Sequence, residues 1–188
     1  MKSTIALLAL ALGLQAQAQN SNQDLRIDEV KTAGSACDLA SERLGQVTLE
    51  DGLFVFPAIL SLQKNKGSFA RGVCNLAMSF KLRVGKKLLL SDLEAVASTE
   101  LASRSSVDLA MEVFLAGSKG QLNKSSLKSK RQSLSSDLLI LRPGRVIETS
   151  CGGAGILRIN ASAIIRGSGR SSSHLHLAKM NAQIVDCE

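Results

Sequence analysis

Between Cys74 and Val84 apolar residues take every second place: Cys74, Leu76, Met78, Phe80, Leu82 and Val84, with Asn75, Ser79, Lys81 and Arg83 among the residues between them. A period of two lines up one set of side chains on one face of an extended strand. The pattern predicts a long half-buried strand with Cys74 turned to the core. Val107, Leu109, Met111, Val113 and Leu115 repeat it, with Asp108 and Glu112 outward and Gly117 closing the strand. Ile156 to Ile165 and His174 to Asp186 read as further strands, separated by a Gly/Ser loop from Gly167 to Ser173. Val47 and Leu49 alternate with polar neighbours. Leu53 to Leu62 is apolar but broken by Pro57, which withholds a ladder donor and predicts an edge or a bend. Turns are expected at Lys64–Gly67 and Pro143-Gly144, and irregular backbone at Cys151–Gly155.

Leu88 to Ala102 fits two periods. Ser91-Asp92-Leu93-Glu94 resembles a helix-capping box, while alternation through Leu88 and Leu90 fits a strand. The strand reading agrees with the surrounding β pattern and is the one taken. With about eight to ten short strands and at most one helix, the expected fold is all-β: one antiparallel β-sandwich-like domain stapled by disulfides.

One apolar run does not belong to that pattern. Met1-Lys2, the stretch Ile5–Leu14 and Ala16-Gln17-Ala18 form the basic start, apolar middle and small-residue end of a secretory signal peptide, cut after Ala18. The run is shorter than the ~20 residues that a membrane anchor needs. The expected organisation is a signal peptide over 1–18, a loosely held polar leader over 19–36 and the β domain over 37–188. The expected location is outside the cytoplasm, periplasmic or extracellular.

Export decides what the cysteines mean. Cys37, Cys74, Cys151 and Cys187 are even in number, widely spaced and lack a Cys-x-x-Cys pair, so two disulfides are expected rather than zinc ligation. Four cysteines allow three connectivities. The pairing expected here is Cys74 with Cys151 and Cys37 with Cys187, the latter tying the ends of the domain.

Charge and composition narrow the partners. The formal charge is +7, and it becomes +6 when Lys2 leaves with the signal. The chain has no Trp, no Tyr and 5 Phe, so the aromatic faces on which single-stranded bases stack are nearly absent and nucleic acid is not an expected partner. Lys119, Lys124, Lys128, Lys130 and Arg131 lie among Ser, Gln and Asn up to Ser136. The bland reading is a solvated loop; the sharper one is a basic arm that contacts an anionic polymer.

No catalytic pattern assembles. There is no Gly-x-Ser-x-Gly elbow, phosphate loop or EF-hand, and no cofactor or metal is called for. Asp51, Asp92, Glu94, Asp108, Glu112, Asp137 and Glu148 are carboxylates that nothing distinguishes as a glycosidase pair. His174 and His176, two apart on a strand, would share a face, but a third ligand is not identifiable. Asn123-Lys124-Ser125 and Asn160-Ala161-Ser162 fit the glycosylation triplet.

Gly34-Ser35-Ala36-Cys37, a strand pair through Phe54 and Phe56, Cys74-Asn75-Leu76, Phe114-Leu115-Ala116-Gly117, and Ser150-Cys151-Gly152 followed by Leu157-Arg158-Ile159-Asn160 come in that order. Together they resemble the secreted domain-of-unknown-function family 4360, over roughly Gly34 to Gly167. The resemblance implies export, cystines and a β-rich domain, and brings no catalytic residue. The function expected is a non-enzymatic exported protein that binds or builds at the cell envelope or outside it. A small secreted hydrolase acting through unidentified carboxylates is one alternative. A secreted inhibitor or effector using the Lys119–Arg131 segment is another.

Overall fold

A computed structural model describes residues 24–37, 48–50, 52–56, 59–130, 133–141 and 146–188, with backbone alone for 48, 50, 133–141 and 176–178. The signal segment, Pro57, Pro143, Gly144 and Arg131 lie outside the described residues. Among the described residues there are twelve strands and no helix: β1 (Leu25–Ala33), β2 (Thr48–Glu50), β3 (Leu53–Phe56), β4 (Leu60–Lys64), β5 (Phe69–Leu82), β6 (Lys86–Leu101), β7 (Ser106–Leu115), β8 (Gln121–Lys128), β9 (Ser133–Leu141), β10 (Ile147–Glu148), β11 (Gly153–Arg166) and β12 (Ser171–Asp186).

They form two antiparallel sheets, as the alternating pattern predicts. The first has the order β1-β5-β11-β7-β8. The second is built on β6 and β12; β9 and β10 share the far side of β6, and β3 and β4 share the far side of β12, with β2 beyond β3. Inward residues of both sheets make one core, in which Phe54, Phe56, Phe80, Leu76, Met78, Leu88, Leu90 and Met111 are fully buried. Each large aliphatic or aromatic side chain removed from water contributes about 1.5–3 kcal/mol before chain entropy is charged.

Several expectations need correction. Leu25 to Ala33, read as part of a loose leader, is strand β1, paired with β5 from Leu25↔Leu82 to Ala33↔Asn75 with a register shift between Ile27 and Glu29. Its polar residues suit an edge strand with one face in water. The expected solvated loop from Lys119 to Ser136 contains β8 and the start of β9, because Lys124, Ser126 and Lys128 point out while Leu127 packs against the core. Val84 lies beyond the end of β5 and is 91% exposed, so it is not a core residue. The strand reading of Leu88 to Ala102 holds, as β6, and the residues that resemble a capping box, Ser91–Glu94, form a β-bulge within it. Asp92 and Leu93 oppose Met180 alone, Asp92 has φ 46°, and its carboxylate accepts from Asn181 Nδ2 at 3.2 Å.

The disulfides join Cys37 to Cys74 and Cys151 to Cys187, not the expected pairs. Local register explains both. Ala33 opposes Asn75, so the chain after β1 runs on alongside β5: Ala36 N–H donates to Val73 O, and Cys37 arrives beside Cys74 with a Cα–Cα distance of 4.7 Å. Gly34 lets it pass, with φ 150° and no room for a Cβ, which would sit 2.1 Å from Val73 O. At the other end, the amides of Gly152 and Cys187 bond the adjacent carbonyls Lys86 O and Gly85 O, bringing Cys151 and Cys187 together. Each bridge ties the first sheet to the second: Cys37 forms a β-bridge with Leu60 of β4, and Cys187 follows β12.

Candidate functional site

The outward positions of the first sheet follow from register. Ser126, Asp108, Ile164 and Arg71 form one cross-strand row; Lys124, Ala110, Ser162 and Val73 the next; then Leu122, Glu112, Asn160 and Asn75. Arg158 stands opposite Phe114 and Ala77, and Arg166 opposite Ser106 and Phe69. With β1 included, exposed or half-exposed positions on this face hold eight cations (Arg26, Lys31, Arg71, Lys81, Lys124, Lys128, Arg158, Arg166) against four carboxylates (Asp28, Glu29, Asp108, Glu112).

Four of those cations are committed to ion pairs. Arg26 and Lys81 meet Asp28, Lys31 meets Glu29, and Arg166 meets Asp108. The hydrogen bond from Ser126 Oγ at 2.6 Å, followed by the Arg166 guanidinium, holds the Asp108 carboxyl below its usual range. Arg71, Lys124, Lys128 and Arg158 make no ion pair among the described residues. Lys124 and Lys128 stand four residues apart on β8, about 13 Å, and Arg71 lies three strands away from β8, about 14 Å. Cations that far apart cannot converge on one small anion. They suit an extended, multiply charged chain.

The outer face of the second sheet is different. Lys87 and Lys179 are its described outward cations, against Asp92, Glu94, Glu100 and Glu148. Lys87 pairs with Glu148 at 2.7 Å, which raises the lysine pKa. A buried lysine, Lys64, lies at the end of this sheet and donates to the carbonyls of Gly67 (3.3 Å) and Gly169, fastening two turns. Beside it is a polar recess of about 310 Å³ lined by Gln63, Asn65, Glu100, Arg170, Ser171 and Ser172.

Of the residues singled out from sequence, Lys124 and Lys128 are on the cationic face. Lys119 is on the β7–β8 turn, away from it. Lys130 is exposed, and its carbonyl accepts from Ser103 Oγ. His174 accepts from or donates to Ser61 Oγ at 2.9 Å through Nδ1. His176 falls at a register shift between Leu175 and Leu177, so the two-apart rule for the histidine pair fails there. Among the described residues no cluster of three metal-ligating side chains occurs. The Ser61–His174 contact has the reach of a nucleophile–base pair. However, Ser61 is in mid-strand with its own amide bonded to Ala36 O, so that amide is not free to serve an oxyanion. Of the candidate carboxylates, Asp92 is held by Asn181, Asp108 by Ser126 and Arg166, Glu112 by Asn160 and Glu148 by Lys87, each by separate partners, and Glu94 is exposed on the outer face of the second sheet. Asp51 and the Asp137 side chain lie outside the described residues.

Arg71 and Arg158 were missed by sequence reasoning. Each is an outward position in a strand that the period-two pattern had already delimited, and that parity was the available signal.

No family model and no curated protein matches the chain. Among solved structures it is similar to TmCBM61 in complex with beta-1,4-galactotriose, at 10% identity over 85% of this chain and 90% of that one, TM-score 0.34. It is similar also to the infectious bursal disease virus Gx strain structure, at 16% identity over 86% and 32%, TM-score 0.34. A third is the family 11 carbohydrate-binding module from Clostridium thermocellum in complex with a mixed-linked tetrasaccharide, at 6% identity over 84% and 95%, TM-score 0.24. Scores of this size carry no statement about ligand or activity. Among the described residues no helix is long and apolar enough to cross a membrane.

Proposed function

We propose that this chain is an exported, non-enzymatic binding protein whose first sheet docks by its outer face on an anionic polymer, at the cell envelope or outside it. The observation that carries the reading is the set of four cations, Arg71, Lys124, Lys128 and Arg158, spread over one face without a salt bridge among the described residues, Lys128 acting on Asp108 only at longer range. Counter-charges spaced along a polymer answer such a set, and the binding is correspondingly salt-sensitive. The two disulfides are compatible with an oxidising compartment. The signal-peptide pattern and the resemblance to family 4360 add the export.

The test is binding to immobilised polygalacturonate and dextran sulfate across a salt series. Changing Arg71, Lys124, Lys128 and Arg158 together to Gln should weaken binding at low salt by at least about tenfold and flatten its salt dependence. Unchanged affinity and slope would overturn the reading.

The Ser61–His174 hydrogen bond favours one second reading, a hydrolase that uses Ser61. Covalent labelling of Ser61 by a fluorophosphonate, lost in His174→Ala, would establish it; no labelling removes it.

A further inference from the structure

At the end of the molecule that carries the Cys151–Cys187 bridge, the edges of the two sheets stand apart. The β7–β8 turn faces Val146–Glu148 across a cleft of about 540 Å³. Val113, Leu115 and Ile147 contribute an aliphatic lining, and Val146 stands beside it 51% exposed. Ser118, Lys119, Gly120, Gln121 and Glu148 supply the polar lining.

The charges in this cleft are not equal in effect. Glu148 is answered by Lys87 at 2.7 Å, whereas Lys119 makes no ion pair among the described residues. The cleft therefore offers one uncompensated ammonium, one amide able to donate and accept, and an aliphatic surface. A small inorganic anion would satisfy the first and leave the last in water. The void inward of Val113, Gln121 and Ile147 is only about 10 Å³, room for a single water, so the cleft is a surface recess with a partly polar lining and not the mouth of a deep apolar channel. A ligand that uses all three features carries a carboxylate, hydrogen-bonding hydroxyl or amide groups, and an apolar C–H face. The cleft volume lies in the usual range for small-ligand sites.

We infer that this cleft binds a carboxylate-bearing sugar unit, a hexuronate or a carboxylated N-acetyl amino sugar. Lys119 takes the carboxylate and Gln121 the adjacent hydroxyl or amide. Val113, Leu115 and Ile147 lie against the C–H face. This deepens the anionic-polymer reading by naming the repeat unit, and it rests on that reading for the polymer from which the unit comes.

The experiment is titration of the oxidised protein with digalacturonate, with N-acetylmuramate and with uncharged galactobiose, followed through the backbone amides of Lys119–Gln121. At least one acidic sugar should bind, with galactobiose about tenfold weaker or more. The better of the two acidic sugars identifies the source of the unit. Lys119→Gln should erase the preference for charge, and Gln121→Ala should weaken charged and neutral sugars alike. Lys124→Gln with Lys128→Gln should leave the small-sugar affinity unchanged while lowering polygalacturonate binding. Amides that do not move with either acidic sugar would overturn the inference, as would unchanged discrimination in Lys119→Gln, or a preference for the carboxylate of dialanine over both sugars. In those cases, loss of polymer binding in the four-cation variant still upholds the docking face. Intact polymer binding there would sink that face whatever the cleft does.

Discussion

The two sheets solve the same packing problem with different means. The first is one path of five strands, its three inner ones amphipathic and of 10–14 residues, and its outer face gathers cations. The second depends on two 16-residue strands whose outer neighbours are short pieces of 2–9 residues, and its outer face leans acidic. Regular strands hold outward side chains at fixed spacing, which is what a polymer with repeating charge can recognise. The second sheet carries bulges at Asp92 and His176 in its two central strands, whereas the register shift of the first is confined to edge strand β1, and the buried Lys64 of the second sheet is turned inward to hold turns. The difference teaches that the first sheet keeps four of its eight outward cations out of salt bridges, the set on which the proposed binding rests, while the second turns a lysine inward to fasten turns.

The strongest way to break the comparison is to uncouple the sheets. Each disulfide spans them, and the cysteines are separated by 37 and 36 residues. Losing either bridge, as Cys37→Ser with Cys74→Ser or Cys151→Ser with Cys187→Ser, should lower unfolding free energy by about 4 kcal/mol in the chain-entropy account. Urea denaturation of each variant measures it; a loss below about 1 kcal/mol for both pairs would show that the sheets hold together without their bridges.

The next contrast sets one lysine against another. Lys64 is 1% exposed and holds Gly67 and Gly169 together. Lys64→Ala should cost about 2–4 kcal/mol, from a cavity and two released turn carbonyls. Lys124→Ala on the first sheet should stay within about 0.5 kcal/mol. Equal losses in thermal or urea unfolding would erase the division between fastening and recognising charges.

How far this was legible in the sequence follows the same division. Two inner strands of the first sheet announced themselves by alternation and the third by its strand character from Ile156 to Ile165, and Cys74 was read correctly as core-facing. Strands β1 and β8 escaped because an edge strand has one side in water and a thin apolar set, so polar runs such as Lys124-Ser125-Ser126 look like loop. The disulfide pairing escaped because it depends on strand register: Ala33 opposite Asn75 fixes Cys37 beside Cys74, and nothing local encodes that. In the candidate site, Lys124 and Lys128 were found as a charge run. Arg71 and Arg158 join them from β5 and β11, on the same face but opposite Ile164 and Ala77 respectively, a placement that depends on strand register and not on nearness in sequence. Ser61 and His174 meet across 113 residues for the same reason.

Binding sharpens the comparison further. Lys87→Gln with Lys179→Gln on the second sheet should leave polygalacturonate affinity within about twofold, while Lys124→Gln with Arg158→Gln on the first should lower it about fivefold or more, near 1 kcal/mol. Affinity chromatography at a single low salt concentration suffices. Equal loss from both pairs would mean that net charge, rather than a face, does the binding.

The smallest effect is in the pH dependence, and there the two sheets should differ in sign. On the first, Asp108 accepts from Ser126 and Arg166, so its folded pKa lies below the ordinary 3.8. A depressed carboxyl contributes stability above 3.8 that is lost as pH falls through the folded value. Its side chain is 39% exposed, so the contribution is screened, about 0.5 kcal/mol or less. On the second, Lys86 bonded to Asp186 and Lys87 bonded to Glu148 have folded pKa values above 10.5. Their contribution is present below 10.5 and is lost as pH rises through the folded values. Asp108→Asn should therefore flatten the acid limb of the stability profile and leave the alkaline limb alone. Lys87→Met should do the reverse. Urea midpoints measured across both limbs decide it: an Asp108→Asn profile parallel to the parent below 3.8 would show that the Ser126 and Arg166 contacts carry no linkage.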